Sequence, residues 1–134
     1  MSVSKDLHNQ ISISVAIALT AVADGEDVAG TAIDRKGSDG LEFIFQVGAY
    51  TDGSVTPLIE ESDDNSTFTA VADADLTNTE ASAALSAAGV SKIGYIGAKR
   101  YVKASAVTAA SSTLSVGATA IKFGLRLQGT VNPS

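Results

Sequence analysis

The sequence predicts an all-β protein, an antiparallel β-sandwich of jelly-roll-like architecture with eight or nine short strands. Apolar and polar residues alternate with a period of two in most apolar segments, as they do in half-buried strands. Turn signals rich in Gly, Asp, Asn and Ser separate these segments at short intervals, and no segment shows the periodicity of a long amphipathic helix. This combination is typical of sandwiches and barrels.

The chain is predicted to be one domain. No fixed-period repeat and no linker divides it, and 134 residues are enough to bury a hydrophobic core. We expect residues 1–134 to form a single sandwich with an extended N-terminal arm over about residues 1–10 and a short tail over about residues 128–134.

Residues 11–19 show the clearest strand pattern. Their larger apolar side chains share one face and small side chains fill the other, which predicts a half-buried strand. A helix would place Ile11 and Ile13 about 200° apart, on nearly opposite faces. The apolar set comprises Ile11, Ile13, Val15, Ile17 and Leu19.

Residues 41–50 form the most apolar of the predicted strands, with Leu41, Phe43, Phe45 and Val47 expected in the core. Ile44 points the other way, and we expect a loop or a neighbouring subunit to cover it. Asp52 and Gly53 predict a hairpin turn into a return strand over residues 55–61. Pro57 places that strand at an edge or a bulge.

The rest of the chain supplies the remaining strands and one short helix. A single helical turn is predicted within residues 73–79. The other predicted strands are residues 31–35, 67–71, 80–85, 91–96, 100–107 and 114–127.

The composition argues against several classes of function. The net charge is −6, so the chain lacks the basic face that a protein needs to bind nucleic acid. There is no cysteine, which excludes disulfides and thiolate chemistry. The longest apolar run, residues 11–22, is too short and too polar to span a bilayer, and we expect no signal peptide and no membrane contact.

No catalytic constellation is recognisable, and we expect no enzyme activity. His8 is the only histidine and lies in the polar N-terminal arm, where an exposed or interface role is favoured over catalysis. The glycines near residue 94 do not form a phosphate-binding loop. We predict no cofactor and no metal.

Acidic residues cluster at two turns. A cluster at residues 60–65 could hold calcium through its oxygens, but it lacks the spacing of an EF-hand loop. The alternative is a plain solvated turn in which Asp and Asn bond to their own backbone. The other cluster comprises Asp24, Glu26 and Asp27.

Residues 92–103 form the basic segment of this acidic chain. They hold four of its nine Lys and Arg residues and are predicted to form a β-hairpin around Gly97. In one interpretation Tyr95 and Tyr101 pack across the hairpin and the cations are solvated. In the other, Lys99 and Arg100 at the tip bind carboxylates of a partner, with Arg100 the stronger anchor because its guanidinium can bind bidentately.

The run from Lys92 to Val102 resembles the segment K-I-G-Y-x-G-x-K-R-Y-V-R of a family of small proteins encoded in tailed-phage and prophage head-gene clusters. Residues 32–37, 58–64 and 70–76 fit the same pattern in the same order, so the resemblance covers about residues 30–125. Many members have His-Pro-Arg near the C-terminus, where this chain has Leu125, Arg126 and Leu127.

The resemblance implies a capsid decoration, or cement, protein on the outer surface of the virion, assembled in the host cytoplasm. Its partners would be the major capsid protein and itself, as a dimer or trimer, and it would stabilise the head by bridging neighbouring capsid subunits. The alternative is a tail, fibre or head-surface module that binds host polysaccharide. The candidate residues for the capsid or protomer interface are Lys5, His8, Ile44, Lys99 and Arg100.

Overall fold

The computed structural model describes residues 10–23, 25–77, 84–109 and 112–125, the last without the Leu125 side chain. Lys5, His8, the tail and most of the predicted strand at 80–85 lie outside these ranges. A 3-10 turn at Asp73–Asp75 confirms the predicted helical turn. Within the described residues, no helix is long and apolar enough to cross a bilayer. The strands are β1 (Ile11–Val22), β2 (Ala32–Asp34), β3 (Ser38–Asp52), β4 (Val55–Ser62), β5 (Thr69–Ala70), β6 (Gly89–Tyr95), β7 (Tyr101–Thr108) and β8 (Thr113–Leu125).

The predicted fold class is confirmed. Sheet I has the strand order β1-β8-β3-β6, and sheet II has the order β2-β7-β4-β5. Every pairing is antiparallel. Among the described strands, only β4 and β5 are consecutive in sequence and paired in one sheet. All other connections between the described strands cross from one sheet to the other.

Two predicted hairpins are wrong for the same reason. The turn at Asp52 and Gly53 leads from β3 in sheet I to β4 in sheet II, and the segment around Gly97 leads from β6 in sheet I to β7 in sheet II. Turn residues fix where a chain reverses, but the pairing partner is set by the packing of both sheets. The hairpin that does form is β4–β5, around the polar turn at residues 63–67.

The core lies between the inner faces of the two sheets. The prediction for β3 is confirmed, because Leu41, Phe43, Phe45 and Val47 are all 2% exposed or less. Ile93 and Tyr95 of β6 extend this layer. Sheet II contributes small side chains opposite them, including Val102, Ala104 and Ala106, which let the sheets approach closely.

The prediction that the larger apolar side chains of β1 all share one face is wrong. Ile13, Val15 and Leu19 point outward, while Ala16, Ile17 and Val22 reach the core. The cause is irregular pairing with β8, whose register shifts between Val15 and Ile17 and again between Ile17 and Thr20. Such bulges reverse which side of a strand faces inward.

Pro57 lies in the part of β4 that β5 does not reach, so one side of β4 is an edge at this residue. Its partner Ala106 exchanges both backbone hydrogen bonds with Val28, at 2.9 and 2.8 Å, so Ala106 and Pro57 form a non-hydrogen-bonded pair. The Pro57 nitrogen therefore faces away from β7. β5 reaches only Glu60 and Glu61 on that side, so the missing N–H breaks no bond of the sheet.

Candidate functional site

Arg35 fixes the crossover between β6 and β7, which we call the crossover corner (residues 96–100 and the side chains that hold them). Its Nε donates to the Lys99 carbonyl at 2.8 Å and its Nη2 to the Gly97 carbonyl at 3.2 Å. Its guanidinium lies 5.0 Å from the centre of the Tyr95 ring. The sequence analysis missed Arg35, because nothing local indicates that it reaches a segment 62 residues further along the chain.

Tyr95 is the buried centre of the crossover corner. Its hydroxyl donates to Glu61 Oε1 at 2.7 Å and accepts the Lys99 backbone N–H at 2.9 Å. Burial, together with the hydrogen bond to Glu61, raises the pKa of Tyr95 to about 12, so the phenol stays protonated. The interpretation in which Tyr95 and Tyr101 pack across a hairpin is wrong, because β6 and β7 lie in different sheets. Tyr101 instead stacks with Arg100, whose Cζ atom lies 5.0 Å from the centre of the ring.

Lys99 and Arg100 already bind carboxylates of their own chain. Lys99 Nζ lies 2.7 Å from Asp63 Oδ2. Arg100 grips Asp34 bidentately, with Nε to Oδ1 at 2.9 Å and Nη2 to Oδ2 at 2.8 Å. The hydrogen bond from Arg100 lowers the pKa of Asp34 to about 2. Both cations keep over two fifths of their side-chain surface exposed, so a contact with a partner remains a prediction.

The acidic turn after β4 is organised by Asp64. Its Oδ1 accepts the backbone N–H groups of Ser66 and Thr67 at 2.9 and 3.0 Å and the Ser62 hydroxyl at 2.8 Å. The bonds from Thr67 and Ser66, followed by that from Ser62, lower the pKa of Asp64 to about 2. Over the described ranges, no three His, Cys, Asp or Glu side chains are grouped as metal ligands.

The four segments that carry the family resemblance meet at the crossover corner. Residues 32–37 supply Arg35, which bonds to backbone carbonyls of residues 92–102, and Asp34, which bonds to the Arg100 side chain. Residues 58–64 supply Glu61 and Asp63, which bond to the side chains of Tyr95 and Lys99. Residues 70–76 border the same strand, since the Ile96 N–H donates to the Asp75 carbonyl at 2.8 Å. Segments far apart in sequence thus form one hydrogen-bonded network.

The outward side of sheet I, which we call the apolar face, is the second candidate site. Three β1 side chains project from it with exposed fractions of 62, 63 and 77%, for Ile13, Val15 and Leu19. The register places Ile13 beside Ile121, and Val15 in line with Thr119 and Ile44. Phe123 lies over Gly40, where a Cβ atom would collide with its ring. The large apolar side chains of the apolar face that the argument uses are Ile13, Val15, Leu19, Ile44, Ile121 and Phe123.

An open groove of about 370 Å³ runs across the apolar face. Val15 and Leu19 form one wall and Ile44 and Gln46 the other. The floor includes Gly117, where a Cβ atom would lie 3.3 Å from the Leu19 Cα atom. The predicted interface residue Ile44 is therefore a wall of this groove, half-buried by its neighbours.

Two opposite charges stand at the β6 side of the apolar face. Glu42 is paired in register with Gly94, and the adjacent position of β6 on this face is Lys92. Burial raises the pKa of Glu42, and the positive charge of Lys92 opposes that shift in part.

The outward side of sheet II has a different character. Lys103 lies 3.9 Å from Glu60 and its ammonium lies 4.4 Å from the centre of the Phe68 ring. At the end of the same sheet, Arg100 binds Asp34. Charged side chains on this surface therefore have partners within the chain.

Comparison with known proteins identifies the fold. No protein-family model matches the chain, and no curated protein matches it. The PBSX exported protein XepA superposes on 92% of this chain with a TM-score of 0.60 at 18% sequence identity. The chain spans 40% of the length of XepA, and the likeness establishes a shared fold alone. A protein of Bacillus endospore appendages, a family of disulfide-linked pili, superposes with a TM-score of 0.48 at 15% identity, over 87% of this chain and 89% of its own.

Proposed function

We propose that this chain is a structural virion protein that decorates the outside of a tailed-phage head. It stabilises the head by bridging neighbouring major capsid subunits and carries out no catalysis. Each contact with the shell can be weak, because a protein that bridges several subunits makes its later contacts intramolecularly and gains avidity.

The observation that carries this proposal is the convergence of the resembling segments on the crossover corner. A chance match in four separated segments would have no reason to fall on residues that bond to one another. Here Arg35, Glu61 and Asp63 all contact the run from Lys92 to Val102. The resemblance to head-gene-cluster proteins therefore follows a structural unit.

Three further observations support the proposal. The apolar face leaves large side chains exposed in a pattern that marks protein contacts. The fold is also found in the PBSX exported protein XepA. The net charge of −6 suits an outer layer that must not collect nucleic acid.

Binding to heads that lack the protein tests this proposal. Purified protein is mixed with expanded heads, the heads are sedimented, and the bound protein is measured by quantitative mass spectrometry. We expect saturable binding at a fixed ratio to the major capsid protein. Failure to bind would refute the proposal, and binding to a glycan array combined with absence from purified heads would favour the polysaccharide-binding alternative.

The two cations of the crossover corner provide a residue-level test. If they exchange their own carboxylates for those of the capsid, replacing both Lys99 and Arg100 by Ala will weaken head binding and flatten its dependence on salt. The double variant Lys36→Ala, Lys103→Ala loses the same charge without removing a partner of Asp34 or Asp63 in the corner, and is the control. Equal binding by both double variants would exclude the cations from the interface.

A further inference from the structure

The apolar face carries four of the seven large apolar side chains that are exposed in the described part of the chain. Ile13, Val15 and Leu19 stand on one strand with more than three fifths of their surface exposed. Exposed apolar patches of this kind mark interaction sites in soluble proteins. We propose that a second copy of this chain covers the apolar face, with sheet I packed against sheet I around a two-fold axis.

Charge favours a second copy as the occupant. Two chains that each carry a net charge of −6 repel one another, so self-association is least opposed at a surface that itself carries little net charge. The apolar face meets this condition, because its two charges, Glu42 and Lys92, are adjacent and opposite in sign. A two-fold axis can bring the Glu42 of each copy towards the Lys92 of the other, as a self-complementary interface requires.

The size of the face fits a stable dimer. Its four strands and four rows of outward side chains cover about 500 Å² in projection at the usual strand spacing and rise. Because the side chains project to different heights, the accessible area of the face is larger than its projected area. A standard interface buries about 800 Å² of accessible surface on each partner, so the face supplies most of what is needed.

The relief of the face also favours this pairing. Val15 and Leu19 form a ridge beside the groove floored by Gly117. In a face-to-face pair the ridge of one copy can enter the groove of the other, and the two-fold axis repeats the contact. Two sheets packed in this way lie about 10 Å apart with their side chains interdigitated, as in the sandwich itself.

This inference does not depend on the proposed function. The dimer would form in the purified protein without any capsid, so a failure to dimerise and a failure to bind heads are separate results. In the dimer both outward sides of sheet II and both crossover corners would remain accessible to another partner.

Sedimentation velocity over a range of concentrations tests the proposal. Val15→Glu places a carboxylate in the centre of the proposed interface. The matched control is Val107→Glu, which makes the same substitution on the outward side of sheet II, where Val107 is 40% exposed. Far-UV circular dichroism and thermal melts establish that both variants fold, and Leu19→Glu provides a second interface variant if Val15→Glu does not.

We expect the wild type and Val107→Glu to sediment as dimers at micromolar concentration. The interface variants should raise the dimer dissociation constant by about 100-fold or more, because each dimer would bury two unpaired carboxylates. A wild type that stays monomeric at about 100 μM, where weak dimers are populated, would overturn the proposal. So would a trimer, or equal loss of association in Val107→Glu.

Discussion

The two outward sides of the sandwich differ in how their side chains find partners. On sheet II, Arg100 binds Asp34, Lys103 lies beside Glu60, and Phe68 packs under the Lys103 ammonium. On sheet I the corresponding positions hold branched aliphatic side chains that remain exposed. The charges of one side are paired within the chain, while the other side leaves apolar surface in contact with water.

This difference shows what alternation in a sequence can and cannot tell. Alternation predicts a strand with two unlike faces, and the buried part of β3 keeps to it, whereas the bulges of β1 bring the neighbours Ala16 and Ile17 both into the core. It does not establish which face meets the core. In β3 the large apolar side chains Phe43 and Phe45 are inside, whereas in β1 the larger apolar side chains Ile13 and Val15 are outside and Ala16 is inside.

The largest difference in stability is expected between variants of two neighbouring β3 residues that point to opposite faces of sheet I. Phe43→Ala removes a fully buried ring and should lower the free energy of unfolding by about 3–5 kcal/mol. Ile44→Ala, one residue further along, should cost about 1 kcal/mol or less, since its side chain is only half-buried. Urea unfolding at low protein concentration measures both values, and similar costs would show that Ile44 belongs to the core.

A smaller effect should distinguish the two arginines near the crossover corner. Arg35→Ala loses charged hydrogen bonds to the Gly97 and Lys99 carbonyls and should cost about 2 kcal/mol. Arg100→Ala loses an exposed ion pair and should cost less than about 1 kcal/mol. Urea unfolding again measures both. If Arg100→Ala proves the more damaging variant, Arg35 does not organise the corner.

The two sides should also respond to acid with opposite signs. The folded-state pKa values of Asp34 and Asp64 are about 2, below the ordinary value of 3.8. The unfolded chain therefore takes up these protons first, and the stability that both groups contribute is lost as the pH falls from about 4 to about 2. Glu42 has a raised pKa, so its contribution to stability grows as the pH falls through that value.

Two amide variants test these signs by urea unfolding between pH 7 and pH 2.5 (about the range over which carboxylates titrate). Asp64→Asn keeps a side-chain oxygen for the turn but cannot titrate, so its stability should fall less in acid than that of the wild type. Glu42→Gln removes the compensating group and should make the fall steeper. An unchanged acid profile for Asp64→Asn would contradict the assigned role of that carboxylate.

The sequence was sufficient to predict the fold class, most strand positions and the core of β3, because these depend on local periodicity. The hairpins at Asp52–Gly53 and around Gly97 were predicted wrongly, because a turn signal does not specify which sheet receives the next strand. Arg35 was missed for a related reason: its partners at Gly97 and Lys99 are distant in sequence. The acidic turn could be read correctly as a backbone-bonded turn because Asp64 bonds to residues at most three positions away.

The pairing of β1 with β8 has a consequence for how the protein acquires its structure. β1 cannot complete its sheet until β8 has been synthesised, and most other strands wait for partners far along the chain. Closing such long loops before any contact is gained makes folding slow. We therefore expect refolding on the timescale of milliseconds to seconds that is typical of β-sandwiches. During that interval the aliphatic side of β1 would be exposed to other chains, so the yield of refolding should fall as the protein concentration rises.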